Sequence, residues 1–373
     1  MTEANSEGLL RILDEDGTVD AAADPKLSEK VLRDAYRCLV LVRILDTRML
    51  SLQRQGRIGF YVPSTGEEAS QVGSAMALTP KDWVFPAYRE PGCALWRGVT
   101  VEAIVAQCYG NSADRMKGRQ MPSHYGERAT NYVTPSSPVG TQLPMAVGTA
   151  WAAKIRGDPI VTLAYFGDGA TSEGDFHAGM NFAGVFKTPT VFFCKNNQWA
   201  ISFPVDRQTA AKTLASKAQA YGFDGVRVDG NDLLAVYAAT KAAVDKARAG
   251  GGSTMIEAVT YRLGPHSSSD DPTRYRRREE VEDWQRRDPI ERVRRFLETR
   301  GSWTKAQDES LRKELEDLVS ETIRTVERAP PSPLESLFTD VFAEMPPNLR
   351  EQMEAYLSSG ERRRPEMVDK FPL

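Results

Sequence analysis

Histidine and cysteine are scarce in this chain of 373 residues, with three of the first and four of the second. Cys38, Cys93, Cys108 and Cys194 lie far apart. That spacing excludes the close pairs of a zinc or redox motif and the framework of a disulfide-stapled secreted domain, so they read as reduced core thiols. No apolar run approaches the roughly 20 residues needed to span a bilayer. The opening MTEANSEG is polar and acidic, without the apolar core of a signal peptide or the arginines of a transit sequence. The expectation is a cytoplasmic protein. A surplus of basic charge is also missing. The net charge of −3 predicts neither nucleic-acid binding nor attraction to an anionic membrane. What remains is 41% hydrophobic, enough for one large α/β domain or two small ones.

The informative stretch is Val161 to Ser202, VTLAYFGDGATSEGDFHAGMNFAGVFKTPTVFFCKNNQWAIS. The short apolar run Val161 to Phe166 predicts a buried strand. Gly167-Asp168-Gly169 makes a tight turn, and a helix is expected from near Ser172, with Glu173 and Asp175 in the first turn where the helix dipole favours negative charge. Thr188-Pro189 ends that helix, and Thr190 to Cys194 forms a second strand running into Lys195-Asn196-Asn197. In such a strand–helix–strand unit the two carboxyl ends lie side by side, where open parallel sheets bind ligands.

GDGATS is close to a dinucleotide fingerprint, but Ser172 stands in place of the third glycine. An aspartate in the turn would repel a bare pyrophosphate, and the next strand ends in Lys195 rather than a ribose-binding acid. A metal between protein and diphosphate turns that repulsion into attraction. Mg²⁺ takes hard oxygen ligands and is held by one or two protein groups plus phosphates. Asp168, the Asn197 amide oxygen and a backbone carbonyl just beyond it supply three oxygens. The plain alternative is that Gly167 and Gly169 are turn residues and Asp168 a helix cap.

GDG followed about thirty residues later by NN resembles the motif of thiamine diphosphate enzymes. From roughly Leu27 to Phe342 the chain resembles the alpha subunit of the decarboxylating component of 2-oxo acid dehydrogenase complexes. GRIGFYVPSTGEEASQVG and GPHSSSDD look like the branched-chain type, with the pyruvate and acetoin types as near rivals and a non-catalytic partner-binding subunit as the alternative from another class. The resemblance implies a thiamine diphosphate-binding α/β fold, a doubly wound, mostly parallel sheet with helices on both faces. It implies Mg at Asp168, Asn197 and Trp199, with Gly167, Gly169, Ala170 and Lys195 beside the cofactor. In WVFPAYRE it implies that Tyr88 and Arg89 contact the diphosphate. In the long Gly- and Pro-rich segment from Gly118 to Val139, Ser137 and Val139 would line the middle of the cofactor, Val139 where the family more often has Leu or Ile. Ser136, Pro138, Thr141 and Gln142 match positions that bind a structural K⁺ in some relatives; a set of loop hydrogen bonds without an ion is the alternative.

Of the three histidines, His124 has no evident partner in sequence and His177 reads as a helix-packing residue. His266 opens GPHSSSDDPTRYRRR, a segment whose composition alone predicts a mobile surface loop. The resemblance makes His266 the catalytic histidine, touching cofactor and substrate, and makes Ser267 the serine phosphorylated in mitochondrial relatives. Further expected elements are helices over Leu27–Gln55, Thr141–Ile155, Leu233–Arg248, Val281–Arg300 and Lys305–Glu327, and strands over Val226–Asp229 and Thr254–Arg262. Residues 1–26 are expected to form an arm that packs on a partner or frays, residues 27–329 the α/β domain, and residues 330–373 a tail against a beta subunit. The resemblance completes the system with that subunit in an α₂β₂ assembly, a lipoylated acyltransferase and a branched-chain 2-oxo acid. One α/β domain supplies only the diphosphate half of such a site, so the chain alone is expected to be inactive.

Overall fold

The computed structural model describes residues 8–359. Residues 1–7 of the expected arm and 360–373 of the expected tail lie outside the described residues. In chain order the helices are α1 (Glu29–Arg54), α2 (Glu68–Met76), α3 (Pro91–Trp96), α4 (Val101–Tyr109), α5 (Gln142–Arg156), α6 (Gly174–Phe186), α7 (Val205–Gln208), α8 (Leu233–Arg248), α9 (Arg278–Arg286), α10 (Pro289–Thr299), α11 (Lys305–Glu327), α12 (Ser336–Thr339) and α13 (Pro347–Ser358). The strands are β1 (Trp83–Phe85), β2 (Thr162–Gly167), β3 (Thr190–Asn196), β4 (Trp199–Ala200), β5 (Phe203–Pro204), β6 (Asp224–Asp229) and β7 (Thr254–Val259).

β1, β2, β3, β7 and β6 form a parallel sheet in the order β1-β2-β3-β7-β6, and β4 pairs with β5 in a small hairpin. The sheet is buried on both faces, and strand alternation sorts its side chains. Leu163, Tyr165, Val191, Phe193, Ile256 and Val228 join a core with α1, α2, α4, α8, α10 and α11. Ala164, Phe166, Phe192, Cys194 and Met255 join a second core with α5 and α6. Helices thus cover both faces, as expected.

Local chemistry sets most boundaries. Ser28 caps α1, and Asp232 caps α8 by accepting from Leu234 N and Ala235 N, each at 2.9 Å. Thr304 and Gln307 form a reciprocal capping box on α11. Three expectations are corrected. The single helix over Val281–Arg300 is two, because Asp288 caps a new start at Ile290 N and Glu291 N with Pro289 in the first turn. The helix expected from Ser172 begins at Gly174, after a 3₁₀ turn over Asp168–Ser172. The described part of the N-terminal arm packs on its own chain. Leu10 bridges Val228, and Asp232 Oδ2 accepts from Ile12 N at 2.6 Å and Leu13 N at 2.7 Å, burying Leu9, Ile12 and Leu13. No described helix is long and apolar enough to cross a membrane.

Candidate active site

Parallel pairing in register puts Gly167 opposite Lys195, so the residues following β2 and β3 emerge together at one edge of the sheet. A cavity of about 310 Å³ opens there, a size suited to a small ligand. Tyr88, Arg89, Ser136, Val139, Gln142, Gly167, Asp168, Gly169, Ala170, Lys195, Asn197, Trp199 and His266 all line it. Ser137, Pro138 and Thr141 are not among its lining residues. Ser137 Oγ instead meets His124 Nε2 at 2.8 Å, which supplies the partner that the sequence did not reveal. Thr141 Oγ1 donates to the Pro138 carbonyl at 3.1 Å, and Gln142 Nε2 donates to the Tyr165 carbonyl at 2.7 Å.

Asp168 is 2% exposed, and its Oδ2 has no hydrogen-bond partner. Burial pushes its carboxyl up to about 7, against the opposing pull of its own backbone hydrogen bond and of Arg262. A buried carboxylate oxygen left unmatched costs free energy that a cation would recover. Gly169 lets the chain approach the β4–β5 hairpin, since a Cβ there would sit 2.9 Å from Ala200 Cβ. Among the described residues no cluster of three or more His, Cys, Asp or Glu could hold a metal. Glu67 and Glu90 are engaged by Lys195, and the unmatched Asp168 oxygen, the Asn197 amide and nearby backbone carbonyls form a set that fits an ion completed by phosphate and water rather than an all-protein cage.

Behind these donors lies a buried charge network absent from the sequence reading. Lys195 Nζ lies 3.0 Å from Glu67 Oε2 and 2.7 Å from Glu90 Oε1, and donates to the Arg89 carbonyl at 2.8 Å. Glu67 Oε1 accepts from Asn197 Nδ2 at 2.8 Å, and Arg89 Nε is 3.9 Å away. Burial raises the Glu67 carboxyl, but Lys195 and Arg89 outweigh it and hold the group low. Burial likewise opposes the Lys195 charge, and Glu67 and Glu90 outweigh it and raise the ammonium.

Arg89 ties two loops together, donating to the Pro63 carbonyl and, at 2.7 Å, to the His266 carbonyl. Its Nη2 also reaches His266 Nδ1 at 3.2 Å, with Arg262 Nη1 at 3.4 Å from the same nitrogen. A guanidinium only donates, so Nδ1 accepts and the imidazole proton sits on Nε2. Burial first, then Arg89 and Arg262, push His266 down to about 3, so it is neutral at physiological pH. Tyr88 meets the imidazole edge-on at 6.2 Å.

The expected mobile surface loop is corrected here. His266 N donates to Asp270 Oδ2 at 2.7 Å, Tyr275 Oη donates to the same oxygen at 2.6 Å, and Arg276 donates into the carbonyls of Arg262 and Gly264. Ser267 is buried. His177 meets Tyr221 Oη at 2.5 Å, away from the cavity. Glu67, Glu90, Gln208 and Arg262 line the site unforeseen. Arg262 was detectable in principle, since it follows the carboxyl end of β7 just as Asp168 follows that of β2.

The model of the dehydrogenase E1 component family matches residues 36–335. The mitochondrial 2-oxoisovalerate dehydrogenase subunit alpha 1 of Arabidopsis thaliana is 45% identical over 344 residues, 92% of this chain and 73% of the relative. The mitochondrial alpha subunit of the human enzyme is 44% identical over 93% of this chain and 78% of its own length. That of Caenorhabditis elegans is 46% identical over 90% of this chain and 78% of its own length. These relatives are all named mitochondrial, which overturns the cytoplasmic expectation drawn from the polar opening residues.

Proposed function

This chain belongs to the dehydrogenase E1 component family, and on that premise we propose that it is the alpha subunit of a branched-chain 2-oxo acid dehydrogenase. Membership in this family implies the use of thiamine diphosphate. The observation that carries the site assignment is the unmatched Asp168 oxygen, buried beside Asn197 at the shared edge of β2 and β3.

Asp168, the Asn197 amide oxygen and the Trp199 carbonyl would hold Mg²⁺ against the diphosphate. Gly167, Gly169 and Ala170 would present backbone beside it, Tyr88, Arg89 and Lys195 would lie alongside it, and Val139 would support the cofactor's middle. Thiamine diphosphate, when bound, supplies the carbanion chemistry that expels CO₂ from a 2-oxo acid. This chain's catalytic contribution is His266, neutral and carrying its proton on Nε2, free to donate to a developing oxygen near the cofactor. Ser136, Pro138, Thr141 and Gln142 are the residues a structural K⁺ would use. The carboxylate that would activate the aminopyrimidine is assigned to a beta subunit in an α₂β₂ assembly, and a lipoylated acyltransferase would take the acyl group.

The test is co-production with the beta subunit and a substrate panel. The expected result is lipoyl-coupled turnover of branched-chain 2-oxo acids well above pyruvate, and none by this chain alone. Preference for pyruvate would reassign the substrate, and turnover without the partner would remove the half-site model.

A further inference from the structure

We propose that Glu67 is a positioning residue that fixes which face of the Asn197 amide looks into the cation site. The inference rests on the cofactor reading above and concerns a residue to which that reading gives no role. Asn197 can offer either its oxygen or its NH₂ to a cation, and only the oxygen can ligate. A carboxylate accepts and never donates. With Glu67 Oε1 at 2.8 Å from Nδ2, the amide is held with its nitrogen toward Glu67. Its Oδ1 is turned the other way, where it accepts from Trp199 N at 3.3 Å.

Glu67 itself cannot turn aside. It is fully buried at the start of α2. Its second oxygen is pinned by Lys195 at 3.0 Å, and Lys195 is pinned by Glu90 at 2.7 Å. The two oxygens are thus committed at once, Oε1 by its hydrogen bond from the amide and Oε2 by its ion pair with the ammonium. Glutamine at position 67 fills the same volume but brings a single acceptor. If its oxygen faces Lys195, its NH₂ faces Asn197, and the Asn197 amide gains a hydrogen bond by flipping its oxygen away from the cation.

Glu67→Gln is therefore the informative substitution, in the chain assembled with its beta subunit. The readout is Mn²⁺ affinity in the presence of thiamine diphosphate, followed by the electron paramagnetic resonance of free Mn²⁺. The expected loss is about 10- to 100-fold, the range for partners that orient metal ligands. Asn197→Asp reads the same contact from the other side. It places a second carboxylate against Glu67, so the added charge is expected to bring no gain in affinity. In Glu67→Gln/Asn197→Asp the glutamine NH₂ meets a carboxylate that has no wrong face, and affinity is expected to return to within about threefold of the parent.

Unchanged Mn²⁺ affinity in Glu67→Gln, or a tenfold gain in Asn197→Asp alone, would overturn the positioning role. A lower melting temperature with parental Mn²⁺ affinity would show a structural role only and would equally overturn it. Failure of the unmodified assembly to bind Mn²⁺ with thiamine diphosphate would sink the cofactor reading itself, and with it this inference.

Discussion

Two side chains at the sheet edge are tuned by burial in opposite ways. Asp168 resists ionisation because water is excluded from it, and the proposed divalent cation would reverse that resistance. Asp168→Ala should abolish Mg²⁺-dependent binding of thiamine diphosphate while leaving the melting temperature of the cofactor-free assembly unchanged or raised. Calorimetry showing parental cofactor affinity would contradict the site. His266 is held neutral down to about pH 3 by desolvation and two guanidinium groups, whereas in the unfolded chain it protonates near pH 6.5. Below about pH 6.5 the unfolded state therefore binds more protons than the folded state, and stability falls as pH falls. His266→Gln removes that linkage. Its stability should decline less between about pH 6.5 and pH 4 in denaturant titrations, and curves parallel to the parent's would show that the imidazole is not held neutral. Asp168 and Asn197 were suggested by strand ends and a motif and His266 only by the family resemblance, and all three line the cavity. Glu67 and Glu90 were not suggested, since their role exists only once α2, the residues after β1 and β3 converge on Lys195.

At the level of elements, the long regular pieces were readable because periodicity and caps agree, as in α8 and α11, whose predicted and observed limits coincide. The misses share one cause, a short-range signal outweighed by a longer-range one. The helix break at Asp288-Pro289 was hidden by a continuous charged amphipathic pattern. The His266 loop reads as mobile by composition, yet its charges are spent on its own carbonyls and on Asp270. Helix glycines offer a test of packing at this scale. In α6, a Cβ on Gly184 would collide with the Tyr221 carbonyl, whereas in α5 a Cβ on Gly148 meets nothing within 4 Å. Gly184→Ala should destabilise the isolated chain by about 1–3 kcal/mol through overpacking. Gly148→Ala should stabilise it by about 0.4–1 kcal/mol through chain entropy and helix propensity. Equal shifts in thermal unfolding would mean that α6 does not lie against Tyr221 as described.

On the scale of the whole molecule, the apolar surface is unevenly distributed. Trp151 stacks on Phe186 at 4.0 Å and Phe186 on Phe182 at 5.8 Å, making an aromatic ridge along α5 and α6. Ile155 and Val185, 73% and 67% exposed, extend that surface, and Leu337, Val341 and Phe342 in the tail are more than half exposed as well. Exposed apolar residues grouped along one ridge fit a face that a partner covers. Under the proposed half-site arrangement the chain has a functional reason to keep one. If the ridge seats a neighbouring subunit of the α₂β₂ assembly, Val185→Glu places an unpaired charge in a dehydrated interface, where it is costly. The substitution lies on a solvent-facing position, so the isolated chain should keep its melting temperature. Sedimentation should then show the mixture with beta subunit shifted from the tetramer toward free subunits, with turnover falling in proportion to the tetramer lost. A tetramer of parental stability would place the ridge outside the interface and leave the tail's Leu337, Val341 and Phe342 as the apolar surface that the partner covers.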